Sequence, residues 1–175
     1  MAIKKPTRTL DELRKGMTAF QRKLLQEIWR HFQTKGEWPN LRTLFSDRGK
    51  AKVKVALMPL GGSVVREETG SQGWSRCQLS LLGVLLTNDG PALQALMASF
   101  FRFQRELYQK ESGKFTATSA EIAAALDLSA EQTALLGQLL WLGGLGGSQN
   151  RENGSWTVNT MEEAEDWLRA HPGLG

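Results

Sequence analysis

The chain has a single cysteine, Cys77, and only two histidines, His31 and His171. One thiol excludes an intrachain disulfide framework and any multi-thiolate zinc site. Two histidines leave little for imidazole metal sites or a Ser-His-Asp triad, and neither has carboxylate or cysteine neighbours at ligand spacing. No apolar run approaches the roughly 18 residues that a membrane span needs. Met1 to Arg8 has lysines but no apolar h-region behind it, so no signal peptide is expected. A cytoplasmic, reducing location is the expectation, and the unpaired Cys77 agrees with it. The glycine-rich stretch Gly143 to Gly147 lacks the lysine and hydroxyl of a phosphate loop and precedes no helix. No nucleophile stands beside a base. The expectation is a protein without catalytic activity, metal or cofactor.

What remains is ordinary globular composition over 175 residues, 41% apolar and 23% charged, enough for one medium domain or two small ones. The formal charge of +4 conceals a division along the chain. Residues 1–54 carry 14 basic and 5 acidic side chains, whereas residues 55–175 carry 8 basic and 13 acidic. From Phe115 onward only Arg151 and Arg169 oppose 8 carboxylates. Such asymmetry points to one end meeting a polyanion. The plainer alternative is two solvated faces of opposite sign.

Residues 1–16 are polar and basic and read as an arm, with Leu10 and Leu13 able to form one helical turn. Phe20, Leu24, Leu25, Ile28, Trp29 and Phe32 form one apolar helical stripe, ended by Gly36. Pro39 and Asn40 open a second, short helix. Lys50 to Leu60 reads two ways. As a helix it gathers Val53, Ala56, Leu57 and Leu60 on one face; as a strand it alternates Ala51, Val53 and Val55 with Lys50, Lys52 and Lys54. Pro59 and Gly61-Gly62 fit a helix terminus and favour the helix. Ser63 to Glu68 and Gly73 to Leu79 read as strands around a polar tip. Ser80 caps a short apolar helix, and Pro91 opens a long one. That long helix carries Phe100, Phe101 and Phe103 and is apolar over more than half its circumference, so it is expected to pack against both halves or another chain. Thr118 with Glu121 and Ser129 with Gln132 are capping boxes. A hairpin follows near Asn150 to Gly154, then an acidic helix from Met161 to Ala170.

The order helix, short helix, helix, hairpin thus occurs at 17–79 and again at 118–158. The segment Ser119-Ala120-Glu121-Ile122-Ala123-Ala124-Ala125-Leu126-Asp127-Leu128-Ser129 is its clearest instance. This pattern resembles the winged helix-turn-helix superfamily, arranged as a tandem pair. The fold class expected is mainly α with small β-hairpins (α+β). Its divisions are a basic arm at 1–16, a first unit at 17–90, a connecting helix at 91–112 and a second unit at 113–170.

In DNA-binding members of that superfamily the third helix enters the major groove and the wing touches the backbone. Carried over, the resemblance implies nucleic-acid contacts from Arg48, Lys50, Lys52 and Lys54, with the wing tip near Thr69 to Gln72 and Arg66 and Arg76 on its strands. Lys4, Lys5 and Arg8 of the arm join this set. Lysines are hydrated point charges suited to phosphates, so little sequence preference is expected, and DNA is favoured over RNA. The corresponding helix of the second unit has Glu131 and no basic residue, and a carboxylate is repelled by phosphates. With Phe100, Phe101, Phe103, Trp141, Glu162 and Glu163, it fits a protein contact or homodimer instead. Most of the tryptophans at 29, 38, 74, 141, 156 and 167 are expected in cores or domain junctions. The leading reading is a nucleic-acid-binding and partner-recruiting module. The alternative is a pure adaptor subunit of a nucleic-acid-processing or phage-defence complex.

Overall fold

In the computed structural model, which describes residues 10–62, 64–69, 75–110, 116–150 and 152–158, the first described residue is a leucine. Leu10 is buried at the head of α1 (Leu10–Gly16), and the Arg14 guanidinium donates to the Leu85 carbonyl at 2.9 Å. The stretch expected as an arm is therefore tied into the fold from Leu10 onward. Lys4, Lys5 and Arg8 lie outside the described residues.

Helix α2 (Ala19–Lys35) begins at a capping box: the Thr18 hydroxyl accepts from the Gln21 N–H, and the Gln21 side chain accepts from the Thr18 N–H. Satisfying two N-terminal donors at once sets where the helix begins. Its stripe of Leu24, Leu25, Ile28 and Trp29 is fully buried. Phe32 stacks on Trp38 with ring centroids 4.1 Å apart, closing the far end of the core. Gly36, at φ 70°, ends the helix with its N–H on the Phe32 carbonyl.

Asn40 caps α3 (Leu41–Arg48), its side chain accepting from the Arg42 N–H at 2.8 Å. Gly49 alone, at φ 84°, joins α3 to α4 (Lys50–Leu57). A 3-10 turn, Met58–Leu60, and then Gly61 end this helix. The helical reading of Lys50 to Leu60 holds: Val53 and Ala56 are buried, whereas Val55 is exposed. Strands β1 (Val65–Thr69) and β2 (Ser75–Leu79) pair antiparallel, Val65 opposite Leu79 and Thr69 opposite Ser75. Helix α5 (Leu81–Leu85) follows, capped by the Ser80 hydroxyl.

The long helix, α6 (Gly90–Lys110), carries Pro91 in its first turn as expected. The chain divides into two compact units, 1–91 and 92–175, so almost all of α6 belongs to the second rather than standing as a separate connector. After it come β3 (Ala117–Thr118), α7 (Ser119–Leu126), α8 (Ala130–Leu142), β4 (Gly146–Gln149) and β5 (Trp156–Val158). Both expected capping boxes form, at Thr118 with Glu121 and at Ser129 with Gln132. The strand order is β3-β5-β4, all antiparallel. The sequence pattern missed β3, because two residues are too few to show alternation. The expected acidic helix at Met161 to Ala170 lies outside the described residues.

The two units share one chain order. In the first, α2 leads to Asn40, which bridges antiparallel to Arg76 in β2, and then to α3, α4 and the β1–β2 hairpin. In the second, α6 leads to β3, which pairs with β5, and then to α7, α8 and the β4–β5 hairpin. In each, the returning strand of the hairpin is the middle one. The repeat is thus completed by α6, a helix that the sequence pattern had assigned to neither unit.

Gly83, Gly90 and Gly137 are set by close approach. A Cβ on Gly137 in α8 would lie 2.5 Å from Nε1 of the Trp156 indole, and one on Gly83 would meet the backbone carbonyl of Val64. Replacing Gly137 with alanine gains about 1 kcal/mol of helix propensity. It also displaces a buried ring, at an overpacking cost of about 1–3 kcal/mol. Gly83→Ala presses on backbone, which cannot swing aside. Urea denaturation followed by tryptophan emission is expected to show a lowered midpoint for both variants, the lower for Gly83→Ala. A raised midpoint for Gly137→Ala would mean that Trp156 is seated elsewhere.

Candidate nucleic-acid interface

Helix α4 is held from three directions. Val53 and Ala56 bury its inner face. Its last carbonyls lack partners within the helix, and the buried Gln21 amide donates to that of Ala56 at 2.9 Å. Lys52 lies over the Phe20 ring, its ammonium 4.7 Å from the centroid, a cation–π contact that holds its stem against α2. Gln21 therefore serves two elements, starting α2 and seating the end of α4.

The structure sorts the expected basic residues into two groups. Arg48 makes a 2.6 Å ion pair with Glu27 on α2 and stands 3.8 Å from Asp47. Arg76 on β2 pairs with Glu37 at 2.9 Å. Both guanidiniums are thus ion-paired within the first unit while remaining partly exposed, unlike the lysines of α4. Arg66 donates from Nε to the Gly62 carbonyl at 3.3 Å and remains exposed. Lys50, Lys52 and Lys54 are all exposed, and among the described residues none of them has an ion-pair partner. The wing-tip positions from Gly70 to Gln72 lie outside the described residues.

Beside the lysines runs an open cleft of about 340 Å³ between α3, α4 and the hairpin, lined by Phe45, Lys54, Leu57, Met58, Arg66 and Cys77 among others. Two features of this face were missed from the sequence. Val55 is 72% exposed and Met58 76% exposed, so apolar surface stands among the lysines. A helical wheel already leaves Val55 on the side away from Val53 and Ala56. Glu27 and Glu37, which neutralise the arginines, lie far away in sequence and gave no signal.

In the second unit, Glu131 is exposed at the start of α8, and Trp141 near its end is 58% exposed. Trp141, Gln138, Ser148, Gln149 and Trp156 line a cleft of about 140 Å³ between α8 and the hairpin. Phe100 and Phe101 are buried, their rings 5.4 Å apart, and Phe103 is half-buried. That corrects the expectation of Phe100 and Phe101 as partner contacts: they are core, because the apolar face of α6 is already covered. Glu162 and Glu163 lie outside the described residues. Trp29, Trp38 and Trp156 are buried, as expected of most tryptophans.

Among the described residues no cluster of histidine, cysteine and carboxylate side chains is arranged to hold a metal, and no helix is long and apolar enough to cross a membrane. Cys77 is buried, and burial pushes its thiol up to about 12, with the Glu67 carboxylate adding to the shift. The folded chain keeps this proton in a range where an ordinary thiol, near 9.0, loses it. The resulting stabilisation is complete below pH 9 and is lost as pH rises toward 12, with a slope of at most about 1.4 kcal/mol per pH unit. Urea midpoints measured from pH 8 to 11 are expected to fall more steeply for the native chain than for Cys77→Ala. Parallel curves would show that the thiol is already exposed in the folded state. No family model, curated protein or solved structure matches the chain.

Proposed function

We propose that the chain is a non-catalytic, cytoplasmic module of two winged-helix units, the first holding duplex DNA by its phosphate backbone and the second engaging protein. The observation that carries the reading is the trio Lys50, Lys52 and Lys54, exposed on α4 and without an ion-pair partner among the described residues. The shared chain order of the two units, with a hairpin after the third helix and its returning strand in the middle, supports the winged-helix assignment. B-form DNA suits a helix better than A-form RNA, whose major groove is deep and narrow.

The second unit is read differently because α8, in the position that α4 holds in the first, carries Glu131 and Trp141 and no basic residue. An exposed tryptophan beside a cleft is a protein anchor more often than a phosphate contact. Light scattering across a concentration series is expected to show self-association that Trp141→Ala abolishes. A monomer at every concentration removes the homodimer and leaves a different protein as the partner.

The DNA reading is tested by anisotropy titration of a nonspecific duplex at several salt concentrations. Log affinity is expected to fall linearly with log salt. A Lys50/Lys52/Lys54→Ala variant loses about three units of that slope. Arg76→Ala is expected to leave the slope unchanged, because its charge is spent on Glu37. No binding at about 50 mM salt, where backbone contacts are strong, overturns the DNA reading and favours a pure adaptor subunit.

A further inference from the structure

The lysine trio on its own recognises any duplex, but the crest of α4 is not made of lysines. Val53 and Ala56 define the buried side of the helix. At about 100° per residue, Val55 lies about 160° round from Val53, on the outward crest. Ala51 stands about 40° from it on the same scale, and Met58 follows one turn on. All three are exposed, Val55 at 72% and Met58 at 76%. Lys52 flanks the crest at about 60° on one side and Lys54 at about 100° on the other. Of the three large apolar side chains strongly exposed among the described residues, two sit on this one ridge.

We infer that Val55 reads thymine methyl groups, giving the first unit a preference for T-containing major-groove surface. This rests on the DNA-binding reading above. The major groove is walled by two phosphate backbones and floored by base edges. A helix that enters crest first brings Lys54 toward one wall and Val55 toward the floor, with Lys52 on the other flank, where its ammonium rests over Phe20. Valine neither donates nor accepts a hydrogen bond, so the polar edges of guanine, cytosine and adenine offer it nothing. The thymine C5-methyl is the one apolar group displayed on that floor. Ala51 and Met58 extend the same apolar line along the groove.

Two duplexes of identical sequence test this, one of alternating A·T pairs and one with every thymine replaced by deoxyuridine, which removes the methyl and keeps the pairing. The native chain is expected to prefer the thymine duplex about fourfold, the equilibrium equivalent of burying one methyl-sized group. The salt slope should be the same on both duplexes. Val55→Ala, a change at an exposed position, is expected to bring the preference close to one while leaving the salt slope intact. Equal affinity of the native chain for both duplexes, with a normal salt slope, overturns methyl reading and leaves backbone binding standing. A preference that survives Val55→Ala also overturns it, since the methyl contact would then lie elsewhere. Failure to bind either duplex overturns the underlying DNA reading. If Val55→Ala leaves binding to both duplexes unchanged but abolishes self-association in light scattering, the ridge is a protein contact and the inference falls.

Discussion

In each unit one residue starts a helix and pairs with a strand at the same time. Asn40 caps α3 through its side chain and bridges to Arg76 through its backbone. Thr118 caps α7 and pairs with Thr157 of β5. An N-cap needs extended backbone, which is also what a strand needs, so the two roles demand the same dihedral angles. Asn40 is at φ −70°, ψ 131° and Thr118 at φ −84°, ψ 157°. This coincidence fixes the middle strand of the hairpin against the start of the helix pair. Everything downstream, including where α4 and α8 present their outward faces, is referred to that joint.

The first unit then uses its charges in two ways. Short ion pairs take up Arg48 and Arg76 and tie α2 and the segment after it to the later elements. Lysines, whose ammonium groups are strongly hydrated and costly to bury, stay outside on α4. The second unit makes no such division, and where lysines stand on α4 it has glutamine, glutamate and tryptophan on α8. Similar chain order thus supports two surfaces of opposite character, which is why fold alone would not assign a role to either.

Most helices were legible because their signals are local. Capping boxes span four residues, and the stripe from Phe20 to Phe32 repeats within one helix. The ambiguity at Lys50 to Leu60 was real, since Val53 and Val55 serve a strand as well as a helix when only alternation is read. Pro59 and Gly61 pointed to the helix, and the burial of Val53 and Ala56 agrees. The strand β3 and the Asn40 bridge escaped notice because one or two residues carry no period. The candidate site was half legible: the lysines were visible as a charge run, but the pairing of the arginines and the apolar crest were not.

The sequence by itself determined the kinds of element, their caps and the division of charge, because each follows from residues within a few positions of one another. It also excluded an intrachain disulfide and multi-thiolate zinc chemistry by composition. Only the tertiary structure decided that Phe100 and Phe101 are core, that almost all of α6 falls in the second unit, and that Arg48 and Arg76 pair with Glu27 and Glu37. Those outcomes depend on which groups meet across long stretches of chain. Such meetings are set by packing and charge pairing, and no local periodicity encodes them.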